Sequence, residues 1–135
     1  MPLVGQNRKE KPMLEVYSTD LGITADTYVP FQNVALKKGC TAELSGTNTI
    51  NLNKCGVYMV SVDCSATVAT TLQLYKDGIA QPQAQATGTN PSFITLVQVS
   101  ENNSCCPCAS GTALQLMNST ESVLTDINVV ITKVV

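Results

Sequence analysis

Residues 57–66, VYMVSVDCSA, alternate without interruption: Tyr58, Val60, Val62, Cys64 and Ala66 fall on one side of an extended chain, Met59, Ser61 and Asp63 on the other. Successive side chains of a β-strand point to opposite faces, so the pattern predicts a half-buried strand with Cys64 toward the core. TLQLYKDGIAQ (71–81) predicts a strand with Leu72 and Leu74 inward, then an Asp77-Gly78 hairpin turn of the kind that requires positive φ, and a further strand from Ile79. PSFITLVQVS (91–100) sets Phe93, Thr95, Val97 and Val99 on one side and Ile94, Leu96 and Gln98 on the other. Both sides are largely apolar, as expected of a strand covered on two faces. TALQLMN (112–118) and SVLTDINVVITKVV (122–135) predict the last strands, the latter with Val123, Ile127, Val129 and Ile131 on a common face. MLEVYS, TYVPFQNVAL and NTINLN are earlier candidates, each ended by Gly, Asn, Asp or Pro. No apolar period of 3.6 residues persists for three turns, so the predicted class is all-β, a two-sheet antiparallel sandwich or jelly roll.

At 135 residues the chain is long enough for one moderate core, with an N-terminal arm over 1–12 and a single domain over 13–135. With no Trp and two Phe, that core is aliphatic. Charged residues are 13% of the chain, about half the usual share for a soluble domain, which points to a surface that meets other protein. Arg8, Lys9 and Lys11 against Glu10 make the arm net +2, on a body of five basic and nine acidic side chains. The arm reads either as a solvated tail or as an anchor laid on a larger surface. A net charge of −2 supplies no basic footprint for nucleic acid, and no apolar run has the length of a signal core or a membrane span. Synthesis in a reducing cytoplasm follows, and with it a fold that does not depend on disulfides.

The run VPFQNVALKKGCTAELSGTNTINLNKCGVYMVSVDCSA (29–66) resembles the front half of tumour-necrosis-factor-like jelly rolls of bacterial and phage origin, in which a Pro-Phe strand entry leads to a Gly-Val-Tyr central strand. LQLYKDGIAQP is similar to that family's hairpin, and SGTALQLMNSTESVLTDINVVITKV looks like its last two strands. Cys55 before the GVY and the CCPC stretch depart from the pattern, and no Gly-X-Y repeat of a collagen stalk is present. The resemblance implies a compact homotrimer of the kind found in exosporium glycoproteins and in phage head-fibre or decoration proteins. It offers Tyr58, Ile94 and Leu96 as interface candidates. For Tyr58 the alternative is an ordinary core tyrosine with its hydroxyl satisfied.

The absence of histidine removes the commonest general base and every His-ligated metal. Asp63, Asp77 and Asp126 are scattered, no phosphate-binding loop is present, and no enzyme activity or cofactor is expected. Cys105, Cys106 and Cys108 are the remaining chemistry. Thiolates at that spacing could hold zinc, or form a disulfide with a neighbouring chain, Cys40 or Cys55, or simply fill space in a loop. Cys55 and Cys64 read as core residues. Taken together the sequence predicts a virion structural protein made in the host cytoplasm, with itself and a capsid protein as partners and Arg8, Lys9 and Lys11 as anchors. A spore or cell-surface layer protein is one alternative. A glycan- or receptor-binding fibre tip is another, using a loop over 81–92, QPQAQATGTNPS, that is rich in amides and hydroxyls but without aromatics.

Overall fold

The computed structural model describes residues 11–99 and 111–135, and within them eleven strands and no helix. Five strands form one antiparallel sheet in the order β3 (Asn33–Lys38), β1 (Met13–Ile23), β11 (Ser122–Lys133), β6 (Gly56–Ala66) and β9 (Phe93–Val99). The second sheet runs β4 (Ala42–Ser45), β5 (Thr49–Leu52), β10 (Thr112–Asn118), β7 (Thr70–Lys76) and β8 (Ile79–Gly88), with β2 (Thr27–Tyr28) also paired to β10. The chain crosses between the sheets repeatedly, so each sheet's strands come from distant parts of the sequence. This is the predicted jelly roll.

Alternation along each strand builds the core. Val16 and Leu14 from β1, Val60 and Val62 from β6, Leu72 from β7, Leu114 and Leu116 from β10, and Val129 and Ile131 from β11 are all buried between the sheets. A void among Phe31, Ile50, Leu74 and their neighbours measures about 10 Å³, too small for more than one water. The Asp77-Gly78 turn has φ of 51° and 82°, the left-handed pair expected from its sequence. Gly111 is required where its segment passes the second sheet, because a Cβ there would lie 2.4 Å from the Leu52 carbonyl oxygen.

Four expectations change. Val123 is exposed while Leu124 is buried, because a bulge between Leu124 and Asp126 shifts the side-chain parity of β11 by one. Residues 81–88 belong to strand β8 and not to a loop. That strand lies at the sheet edge, where Pro82 costs no ladder bond, and its pairing shifts between Gln73 and Tyr75. Cys55 is disulfide-bonded and only partly buried, whereas Cys40 and Cys64 are free thiols, Cys64 buried as expected. Within the chain β9 is covered on one side only, since Ile94 and Leu96 are exposed and only Thr95, Val97 and Val99 reach the core.

Candidate self-association face

The outward face of the five-stranded sheet can be read row by row from the strand registers. Leu96 on β9 lies opposite Met59 on β6, Met59 opposite Thr132 on β11, and Thr132 opposite Met13 on β1. In the next row Ile94 faces Ser61, then Val130, Glu15 and Leu36. Ile94 and Leu96 are 68% and 60% exposed, and Met59 36%. Their positions follow from period-2 alternation, since Thr95, Val97 and Val99 take the core side of β9. Covering each such side chain is worth roughly 1.5–3 kcal/mol, so a free surface of this kind favours association.

Tyr58 is no part of this face. It points into the chain's own core and its hydroxyl donates to the Lys54 carbonyl at 2.7 Å, which satisfies it there; burial raises its pKa. The sequence alternatives for this residue thus resolve to the core one, because Tyr58 shares the parity of Val60 and Val62 while Met59 takes the outward place. Met59 was missed as an interface candidate: alternation gives its outward side, but its place opposite Leu96 depends on the pairing of β6 with β9.

The face becomes polar one row further on. Asp63 lies opposite Asn128, and Asn128 opposite Tyr17. Ser92 Oγ donates to Asp63 Oδ1 at 3.0 Å, and Ser65 Oγ to Asn90 Oδ1 at 3.0 Å. Asp63 and Asp126 flank Cys64; burial first, then the charges of Asp126 and Asp63, push its thiol up to about 11. That thiol holds its proton at neutral pH and is a poor nucleophile. Among the described residues no three of Cys, Asp and Glu converge as a metal site. At the β9 edge Lys76 Nζ donates to the Gln98 carbonyl at 2.7 Å, tying the second sheet to the first.

Lys11 is exposed just ahead of β1. Arg8, Lys9, Cys105, Cys106 and Cys108 lie outside the described residues.

No protein-family model and no curated protein sequence matches the chain. Solved structures do. Murine APRIL superimposes with a TM-score of 0.69 at 12% identity, over 93% of this chain and 100% of that one. The globular domain of zebrafish complement 1qA gives 0.67 at 11% identity, over 93% and 98%. The PRD1 vertex protein P5 gives 0.63 at 12% identity, over 92% of this chain and 73% of that one. At such identities the likeness is one of fold, and the fold is the tumour-necrosis-factor-like jelly roll.

Proposed function

We propose that the chain is a non-enzymatic structural protein of a virion, a homotrimeric jelly roll that decorates or projects from a phage capsid and attaches through its basic arm. The observation that carries the reading is the apolar strip of Ile94, Leu96 and Met59 on the outward face of the five-stranded sheet. Three copies packed about an axis would remove this strip from water, as the resemblance to trimeric jelly rolls implies. The likeness to a vertex protein supports the virion setting, and the low charge of the chain supports a surface that works against other protein. Its action is then mechanical: trimers that bridge capsid subunits add buried interface, and three linked arms bind with high effective concentration.

Sedimentation equilibrium tests the assembly. The natural chain is expected at three times 14.3 kDa, and the double variant Ile94→Asp/Leu96→Asp at one. A natural chain that sediments as a monomer overturns the trimer. Removing residues 1–12 is expected to abolish co-sedimentation with capsids while the trimer persists; retained attachment excludes the arm as the anchor.

A further inference from the structure

The two ends of the sandwich differ in charge. Lys37 and Lys38 pair with Leu14 and Met13, and Lys133 pairs with Tyr58, all at the end where β1 begins. Lys11 and Lys54 stand just ahead of β1 and β6, and Lys76 reaches the Gln98 carbonyl beside Val99, which pairs with Gly56. Every described lysine thus belongs to that end. The end where β1 finishes holds Asp20, Asp26, Glu121 and Asp126, all exposed, and no cation among the described residues. Lys11, Val99 and Gly111, where the described stretches begin or break off, also lie at the lysine end.

At the acidic end an open groove of about 370 Å³ runs between the close of β1, the turn after β6 and the start of β11. Ile23, Val68 and Val123 give it apolar walls, Val68 and Val123 being 44% and 39% exposed, and Glu121 is the one ionisable group that lines it among the described residues. Gly22, paired with Val123, keeps one side open: a Cβ there would meet nothing within 4 Å. The walls are fixed. Thr67 N donates to Val123 O at 3.0 Å and Val123 N to Thr67 Oγ1 at 3.2 Å. Asn118 Nδ2 holds the carbonyls of Thr24, in the lining, and of Thr120, next to Glu121, at 3.2 and 2.7 Å. A groove with pinned walls loses little freedom when a side chain enters it.

We propose that this groove docks a lysine or arginine side chain of a partner protein, its aliphatic stem along Val68 and Val123 and its cationic head on the Glu121 carboxylate. Such side chains join an apolar stem to a charged tip, the same pairing of surfaces that the groove offers. Charge decides between occupants. An apolar segment lying over the valines would take Glu121 out of water without a partner, and an acidic one would meet four carboxylates with no countercharge at this end. A bare metal ion would leave the valines uncovered. Asp20, Asp26 and Asp126 draw a basic segment toward this end of the molecule, an attraction that salt screens. Val123 lies seven residues along β11 from Val130, in the row of Ile94, roughly 23 Å at the rise of a strand. Docking there needs neither the trimer nor the arm.

The test uses the full chain, titrated with hexalysine and followed by nitrogen-15 NMR, with hexaglutamate and calcium chloride as controls. Shifts are expected to gather at Gly22, Thr67, Val68 and Val123, to shrink as salt is added and to be absent with hexaglutamate. Glu121→Gln is expected to weaken binding about fivefold, the worth of a partly exposed ion pair. Val68→Asp separates a groove from plain attraction of charge. It adds a carboxylate and removes an apolar wall, so the groove predicts weaker binding and attraction alone predicts tighter. Should Val68→Asp fail to fold, Val123→Thr, which keeps shape and charge, is read in its place and is expected to weaken binding about threefold. The Ile94→Asp/Leu96→Asp chain is expected to shift at the same residues, which separates this site from the assembly. No binding, shifts spread over the carboxylates of both ends, the same shifts with calcium, or unchanged or tighter binding in the valine variants would overturn the proposal.

Discussion

Asn118 has no exposed surface, yet every hydrogen-bonding group of its side chain is engaged. Its Oδ1 accepts from Thr70 Oγ1 at 2.7 Å, and its Nδ2 donates to the carbonyls of Thr120 at 2.7 Å and Thr24 at 3.2 Å. One side chain thus ties together the start of β7 and the turns that follow β1 and β10. Asn118→Leu leaves the buried Thr70 hydroxyl and two less buried carbonyls without their partner and is expected to cost about 2 kcal/mol. Ser18 is equally buried and donates to Pro30 O at 2.8 Å while accepting from Gln32 N at 2.8 Å, but Gln32 N also reaches Tyr17 O. Ser18→Ala is therefore expected to cost less, about 1 kcal/mol. Urea unfolding at fixed protein concentration checks the ranking. Cys64 predicts a pH dependence. Its folded-state pKa is raised from 9.0 to about 11, so above about pH 9 the unfolded chain releases a proton that the folded chain keeps. Stability is full below that pH and falls as pH rises toward 11, and replacing Cys64 by Ala should flatten this stretch of the profile. Maleimide labelling at pH 8 followed by peptide mapping should modify exposed Cys40 promptly and Cys64 only after unfolding.

At the scale of elements, strands with strict alternation were legible and irregular ones were not. The inward sides of β6 and β9 read correctly because, Thr95 aside, each inward residue is apolar and no bulge interrupts them. β11 did not, since its bulge reverses the parity ahead of Ile127 and four apolar residues cannot signal where the extra residue sits. β8 was obscured by composition: QPQAQ has few strand formers, and the chain reads as loop until its pairing with β7 is known. The turn between those two strands was fully legible. Gly78→Val there forces a β-branched residue into φ near +82° and is expected to cost about 1–2 kcal/mol, with a lower urea midpoint and no change in the pattern of far-UV circular dichroism. A smaller loss would mean that the turn relaxes.

Across the whole molecule, what sequence could not supply was adjacency. Ile94 and Leu96 were visible as outward apolar positions, but that Met59 continues the strip depends on a pairing between strands almost forty residues apart. The edge-to-face contact of Tyr28 and Tyr75 was invisible for the same reason, its two members lying in segments that meet only across β10. Tyr58 erred in the other direction: family likeness offered it to the interface, while its own parity with Val60 assigned it to the core.

The strand that closes the five-stranded sheet is also the last in order along the chain. β11 lies between β1 and β6, pairing with both over almost its whole length. On the ribosome, a nascent chain that has not yet released β11 has no means of joining the β1–β3 ribbon to the β6–β9 ribbon, and both must wait with their apolar sides open. Folding of this sheet therefore waits for β11 and has a high contact order, slow by nature and exposed to aggregation. Expression at low temperature or with added chaperone should shelter the chain through that interval and raise the soluble yield more than it would for a helical protein of the same length.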